Sequence, residues 1–307
     1  MNPTYPTTAQ LLYLDLMKGV LTRTTVCEKY TSLTAHERPT KAIYRTLLPM
    51  MQKVLKSKGL EIVRLYRCDP EKRAVGLDWP PEAETMVGLK RLDNVQQCVM
   101  DVVASGVEGD ILETGVWRGG CSIFIKSVLA ACGDTERTVW VADSFEGLPK
   151  PNAAEFPQDH DDNHWTHSNL AVSLEEVQEN FRRYGLLDER VKFLKGWFKD
   201  TMPTAPIKQL AILRLDGDMY ESTIQVLEAM YDKLSVGGYV IVDDYGLKGC
   251  KAAIDDFRRE RGIADPIMDL DGSCVYWHRA AKAFEMAAPA RKPVQKYDVV
   301  LQSEMKA

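Results

Sequence analysis

The sequence predicts an α/β fold: a doubly wound, mostly parallel sheet behind a helical N-terminal extension. Three observations carry that expectation. From Ala83 onward, short apolar runs alternate with stretches of helical period, the pattern of strands joined by crossover helices. Four of the runs end in acids: Asp110-Ile-Leu-Glu113, Thr138-Val-Trp-Val-Ala-Asp143, Leu213-Arg-Leu-Asp216 and Tyr239-Val-Ile-Val-Asp243-Asp244. An apolar run with a carboxylate at its end reads as a buried parallel strand delivering that side chain to the sheet's carboxyl edge, where open α/β sheets bind ligands. Finally, Gly115, Gly119 and Gly120 form a glycine-bearing turn between the first run and the next helical stretch.

Taken in order, residues 8–34 predict a helix, with Leu11, Leu12, Leu14, Met17 and Leu21 close to a 3.6 period. Residues 40–59 predict a second helix, stopped by Gly59. Residues 61–67 suit a short strand or a helical turn. Pro70, Gly76, Pro80 and Pro81 make 68–81 a loop. The boundary of the N-terminal segment, residues 1–80, falls there. The main domain, 81–280, then reads helix 85–105, strand 110–114, helix 119–131, strand 138–143, a long polar loop 144–172, helix 173–185, strand 191–194, strand 209–215, helix 221–234, strand 238–243 and helix 248–261. Residues 266–268 and 273–277 close the sheet as a hairpin around Asp271-Gly272. The count is about seven strands, the last antiparallel. Residues 281–307 read as a peripheral tail.

Composition narrows the function. The chain has 307 residues, 45% hydrophobic, and a formal net charge of −5. No basic stripe marks a nucleic-acid binder. No apolar run approaches the ~20 residues that span a bilayer, and the N-terminus lacks the basic and apolar regions of a secretory signal. Seven cysteines (Cys27, Cys68, Cys98, Cys121, Cys132, Cys250 and Cys274) form no CxxC pair. They suit reduced, buried thiols in the cytoplasm.

The acids carry the chemistry. Asp216, Asp243 and Asp244 at one rim repel one another, and a hard divalent cation holds such a set ionised. Glu113 stands where a dinucleotide fingerprint would place a glycine, a poor neighbour for pyrophosphate but a good one for an ammonium group. Asp143, ending the second strand, suits two ribose hydroxyls. A ligand with a ribose, an ammonium and no phosphate is S-adenosylmethionine. A nicotinamide-dependent oxidoreductase remains the alternative from another class. Asp218 has two readings, a proton acceptor or a helix N-cap with Glu221 three residues on. His160, His164 and His167, with Pro157 and several acids nearby, read as a solvated lid rather than a metal site, although one histidine can face the substrate. Lys90 and Arg91 read as a solvated helix face, and Trp117 and Trp197 as core or rim.

These segments resemble the macrocin O-methyltransferase family. The carrying stretches are Ala83-Glu-Thr-Met-Val-Gly-Leu-Lys-Arg-Leu-Asp-Asn, Glu113-Thr-Gly-Val-Trp-Arg-Gly-Gly, Ala142-Asp-Ser-Phe-Glu-Gly-Leu-Pro, Leu215-Asp-Gly-Asp-Met-Tyr-Glu-Ser-Thr and Gly237-Gly-Tyr-Val-Ile-Val-Asp-Asp-Tyr. They cover about residues 77–262. The resemblance implies a class I methyltransferase fold, S-adenosylmethionine, Mg2+ and a hydroxyl acceptor, a deoxysugar of a natural product or else a phenol or polyketide alcohol. It implies that Thr85 and Met86 belong to a lid over the cofactor, that Glu113 and Gly115 contact its methionine end, and that Asp143 holds the ribose beside Ser144 and Phe145. It further implies Asp216, Asp243 and Asp244 as Mg2+ ligands. A carboxylate near the reacting oxygen can take its proton, and Asp216, as ligand and base together, is the first candidate, with Asp218 the second. Catechol-type relatives carry a lysine base three residues after the first metal aspartate; here that position is Met219. The helical extension leads us to expect a homodimer or higher oligomer.

Overall fold

The structure, a computed structural model, describes residues 5–26, 30–32, 42–65, 69–78 and 82–280. The expected tail, 281–307, lies outside the described residues.

The chain opens with α1 (Thr8–Leu21), fixed by a capping box in which Thr7 and Gln10 satisfy each other's backbone N–H groups. Leu14, Met17 and Leu21 bury one face of it. The helix ends at Leu21 rather than continuing to residue 34. The Thr22 hydroxyl donates to the Lys18 carbonyl, Arg73 donates to the Thr22 carbonyl, and Arg23 takes a φ of 60° that breaks the period. β1 (Tyr30–Ser32) follows, then α2 (Ala42–Lys56) and β2 (Val63–Leu65), which pairs antiparallel with β1. The expected loop 68–81 holds a short helix, α3 (Pro70–Ala74), started by the Asp69 carboxylate accepting from the Lys72 N–H and by Pro70 at its first position.

α4 (Leu89–Ala104) starts four residues later than its period suggests. Gly88 sits so close to the Gly76 backbone that a Cβ there would meet the Gly76 nitrogen at 2.5 Å. Residues 83–88 are thereby held out of the helix and pass over the sheet edge. Then come β3 (Asp110–Thr114), α5 (Gly120–Ala131), β4 (Val139–Asp143), three single 3-10 turns between Pro157 and Leu170, α6 (Leu174–Arg183), β5 (Val191–Lys195), α7 (Phe198–Thr201), β6 (Leu210–Leu215), α8 (Tyr220–Met230), β7 (Leu234–Val242), α9 (Lys248–Arg261), β8 (Met268–Asp269) and β9 (Val275–His278).

The main sheet runs β5-β4-β3-β6-β7-β9-β8. The first five strands in that order are parallel, and β9 runs antiparallel to both β7 and β8. Apolar residues of α1, α4, α5 and α6 cover one face, among them Leu92, Val99, Phe124 and Phe181. Those of α8 and α9, with Trp277 of β9, cover the other. Both faces of β3 and β6 are thus buried, which is why those strands read as nearly unbroken apolar runs.

Candidate active site

Strand order reverses between β3 and β6: from β3 the chain crosses to β4 on one side, and later returns to β6 on the other. Crevices at such a switch point are where doubly wound sheets bind ligands. Hydrogen bonds continue the ladder past the strand ends. The Gly115 N–H donates to the Ala142 carbonyl, Asp216 to Thr114 and Asp243 to Leu215. That continuation brings Glu113, Asp143, Asp216 and Asp243 to one rim, around a cavity of about 380 Å3.

Asp216, Asp243 and Asp244 converge there, each offering an oxygen within 4.8 Å of the others. Arg214, which the sequence reading did not single out, and Arg91, which it took for a solvated helix face, organise them. Arg214, fully buried in β6, donates to Glu113 Oε1 at 2.7 Å, to Asp216 Oδ2 at 2.8 Å and to Asp243 Oδ1. Arg91 of α4 donates to Asp243 Oδ2 and to Asp271 Oδ2, each at 2.6 Å. Arg91 is therefore a cavity wall rather than part of a solvated helix face. Its hydrogen bonds hold the Asp271 carboxyl below the usual range against the opposing effect of burial.

Five carboxylates, those of Glu113, Asp216, Asp218, Asp243 and Asp244, thus gather around two guanidinium groups. Burial raises the pKa of Asp244 far above the usual carboxylate range, and Asp218, Asp216 and Asp243 add repulsion. Burial and Asp243 raise Asp216, with Arg214 pulling the other way. Asp218 is pushed up to about 7, by burial first and then by Asp216. An unbalanced, partly buried set of hard oxygen donors is the environment a divalent cation relieves.

The glycine turn is shaped differently from a dinucleotide loop. A Cβ on Gly115, at φ +78°, would lie 1.5 Å from the Asp216 carbonyl oxygen. Only glycine lets this turn pass so close to β6. The Gly120 N–H at the start of α5 donates to the Glu84 carbonyl of the segment crossing the edge. One N–H of the helix terminus that would cradle pyrophosphate in an oxidoreductase is thus already taken by backbone. Glu113 is buried, with Ser122 donating to its second oxygen. Burial raises its pKa and Arg214 opposes the rise.

Asp143 accepts from the Val116 N–H at 2.8 Å and the Phe145 N–H at 2.7 Å, which ties the glycine turn to the end of β4. Burial raises its pKa, and these N–H groups counter the effect. Asp143, Ser144, Thr85, Met86, Trp117 and Trp197 line the cavity. Phe145, expected beside the adenine, instead packs in the core with its ring 6.4 Å from that of Phe193. Its φ of 57° turns the chain there. Tyr245, two-residue neighbour of Asp243, hydrogen-bonds Asp255 of α9.

Asp218 is not a helix cap. It adopts φ 58° before the helix, and its own N–H donates to Asp244 Oδ2 at 3.0 Å. The cap comes from the long loop, where Asp159 accepts from the Tyr220 N–H at 2.7 Å and the Glu221 N–H at 2.9 Å. The loop is thus anchored to α8 through Asp159, while most of its residues from 151 to 170 stay exposed. It places His164 at the cavity, with Nδ1 2.7 Å from Asp162 Oδ2. His160 is exposed and pairs with Asp161.

The switch-point cavity, an acid ending each of the central strands and the strand order define a class I, S-adenosylmethionine-dependent methyltransferase. The chain belongs to the macrocin O-methyltransferase (TylF) family, whose profile matches residues 10–279. The family likeness therefore includes most of the N-terminal segment, beyond the stretch 77–262 that carried the resemblance. The chain is 48% identical over 283 residues to an 8-demethyl-8-(2,3-dimethoxy-alpha-L-rhamnosyl)-tetracenomycin-C 4'-O-methyltransferase of Streptomyces olivaceus, covering 92% of this chain and 98% of the relative. It is 50% identical over 214 residues to a mycinamicin III 3''-O-methyltransferase of Micromonospora griseorubida, covering 69% and 84% respectively. The solved O-methyltransferase NovP superposes with a TM-score of 0.73 at 46% identity, covering 89% of this chain and all of that one. The protein is an O-methyltransferase acting on a small-molecule acceptor, and the oxidoreductase alternative falls. No helix among the described residues is long and apolar enough to cross a membrane.

Proposed function

We propose that the enzyme methylates a sugar hydroxyl, a deoxysugar of a glycosylated natural product, with Mg2+ held by Asp216, Asp243 and Asp244. The observation that carries the metal is the convergence of three carboxylates beside a charge excess that two arginines do not balance. The acceptor class rests on the relatives, one of which is named for a rhamnosyl substrate. When bound, a divalent ion supplies Lewis acidity that eases ionisation of a sugar hydroxyl, whose own pKa lies far above neutrality.

The chain's own residues divide the remaining work. Asp143 and Ser144 receive the ribose and adenine side of S-adenosylmethionine, Glu113 and Gly115 its methionine end, and Thr85 and Met86 close over it. Phe145 supports that wall from the core. Arg214 and Arg91 hold the ligand carboxylates in place. Asp216 is engaged by Arg214 and assigned to the metal, so its oxygens are already occupied. Asp218 carries no such arginine and receives the hydroxyl's proton. The methyl group then moves in line from sulfur to oxygen, which requires the two reacting atoms to be held roughly 3 Å apart. A dry cavity favours the loss of the sulfonium charge.

We further infer a division into an N-terminal segment (1–80), a catalytic domain (81–280) and a tail (281–307), a homodimer, and a cytoplasmic setting consistent with the free, buried Cys98, Cys121, Cys132, Cys250 and Cys274. The test is methyl transfer from S-adenosylmethionine to the rhamnosylated tetracenomycin, with and without EDTA. Turnover that EDTA abolishes and Mg2+ restores is expected. Full turnover in EDTA would end the metal assignment.

A further inference from the structure

The middle of the glycine turn holds a residue in an unfavourable conformation. Trp117 adopts φ 48°, in the left-handed region that a bulky side chain occupies only where its surroundings impose it. We propose that Trp117 is a positioning residue for S-adenosylmethionine: its indole walls the cofactor and, through Nε1, latches the long loop 144–172 over the cavity, so that cofactor binding and loop closure reinforce each other. The inference rests on the reading that this turn borders the cofactor.

Hydrogen bonds on either side of Trp117 impose its backbone. The Val116 N–H donates to Asp143 at 2.8 Å, the Gly119 N–H donates to the Val116 carbonyl at 2.7 Å, and the Asn180 side chain donates to the Arg118 carbonyl at 3.0 Å. The turn is thereby tied to the end of β4 and to α6. The indole is half-buried: it packs against the core that α5 and α6 share, and it lines the cavity. Its one polar atom, Nε1, is a donor only, and it donates to the Asn169 carbonyl at 2.9 Å. Asn169 belongs to the last single turn of the long loop, and Leu170 beside it lines the cavity. Asp159 pins the same loop to α8. The loop therefore runs between two anchors, one on α8 and one on the glycine turn. His164, between them, and Leu170, just past the second, both reach the cavity.

Arg118 extends the grip to the other covering segment. Its guanidinium lies 4.3 Å from the Trp117 ring centroid, a cation–π contact, and its Nη1 donates to the Ala83 carbonyl at 2.9 Å. The Gly120 N–H holds the Glu84 carbonyl at 3.0 Å, and Thr85 and Met86, next in the chain, line the cavity. One turn thus fastens both segments that cover the site. Within it, Trp117 is the residue that faces the cavity and holds the loop at once. A ligand packed on the indole restricts the ring and keeps Nε1 aimed at Asn169; a closed loop in turn holds the ring against the ligand. The coupling is reciprocal: the cofactor favours the closed loop by the same factor by which the latch tightens the cofactor. The latch is a single hydrogen bond at an exposed position, weak enough in net terms to open for cofactor exchange.

The experiment uses the full chain with S-adenosylmethionine alone, so it depends on neither the acceptor nor the metal. In wild type, the cofactor should slow hydrogen exchange of the loop amides from His164 to Ala171 and of the Trp117 indole N–H. Exchange that the cofactor leaves unchanged at both places overturns the latch, and this arm needs no variant to fold. Trp117→Phe keeps an aromatic wall and removes the N–H. Calorimetry should show it binding S-adenosylmethionine about fivefold more weakly, the loss of one net hydrogen bond, and the cofactor should no longer protect the loop. Trp117→Ala, which removes the wall as well, should bind more weakly still. Loop protection that survives in Trp117→Phe overturns the latch whatever the affinity, because a merely structural tryptophan would weaken binding without uncoupling the loop. Wild-type affinity in Trp117→Phe overturns it too. Asp143→Ala separates the two levels: wild-type affinity there sinks the placement of the cofactor at this turn, while the exchange comparison between wild type and Trp117→Phe still decides whether the bound ligand closes the loop through the indole.

Discussion

At the scale of single residues, Asp243 and Asp244 stand side by side in the chain but differ in what they hold. Both Asp243 oxygens accept from arginines, Oδ1 from the fully buried Arg214 and Oδ2 from Arg91. Asp243→Ala removes one carboxylate from each of two guanidinium groups, leaving Arg214 with Glu113 and Asp216 and Arg91 with Asp271; breaking a buried pair outright costs on the order of 3–5 kcal/mol, and the loss here is a fraction of that. Among the described residues Asp244 pairs with no arginine; it accepts the Asp218 N–H and shares a side-chain hydrogen bond with Asp216. Asp244→Asn should therefore keep its urea midpoint and its S-adenosylmethionine affinity while binding Mg2+ at least about tenfold more weakly. Asp243→Ala should lose stability as well as turnover. Equal midpoints for the two variants would mean that the arginine pairs contribute nothing. The three metal acids were legible because each ends an apolar run. Arg214 left a readable trace too, a lone charge inside Leu210–Leu215, which is tolerable in a buried strand only when paired. Arg91 left none, since its partners lie 152 and 180 residues away in sequence.

Elements follow a similar division. Strands β3, β4, β6 and β7 and helices α5 and α9 fall within a few residues of their sequence expectation, because burial on both faces writes a continuous apolar signal in the central strands and one buried face writes a helical period in α9. The N-terminal helices and loop lengths do not, because tertiary contacts end them: Arg73 on the Thr22 carbonyl, Gly76 against Gly88. The helix cap at α8 was misread for the same reason. Asp218 and Glu221 have capping spacing, but Asp159 supplies the oxygens from about 60 residues upstream (61 to Tyr220). The close pass of β3 over β6 yields a sharp prediction. In Gly115→Ala, the new methyl would overlap the Asp216 carbonyl, and the φ of +78° is itself unfavourable for alanine. Strain of this kind costs about 1–3 kcal/mol, and relief requires β3 and β6 to part at the rim. We expect a lower thermal midpoint together with a loss of S-adenosylmethionine binding by calorimetry. Wild-type affinity in that variant would show that the turn is not part of the cofactor site.

For the whole molecule, two distributions matter, one apolar and one acidic. Among the described residues, fifteen of the eighteen exposed large apolar side chains precede residue 78, Leu12, Leu16, Met50 and Leu65 among them. Exposed apolar side chains concentrated in one segment of the chain suit an interface, so light scattering should report a dimer or larger species, and Leu12→Glu with Leu16→Glu should shift it toward monomer. The acids gather at the opposite extreme of polarity, and their effect depends on pH. Asp218 is pushed up to about 7, and Asp216, Asp244 and Glu113 are raised in the same direction, each chiefly by burial. In the unfolded chain such carboxyls titrate near about 4. Between about 4 and about 7 the native state therefore binds more protons than the unfolded state, and stability falls as pH rises through that window. A cation that binds the ionised native cluster acts in the opposite sense, adding stability according to its occupancy. Its competitor is the proton, so occupancy at fixed Mg2+ grows with pH. Thermal midpoints in EDTA should decline from about pH 5.5 to about pH 8, and the increment on adding millimolar Mg2+ should be larger at the upper end. An increment of equal size at both pH values would indicate that Mg2+ binds somewhere other than these carboxylates.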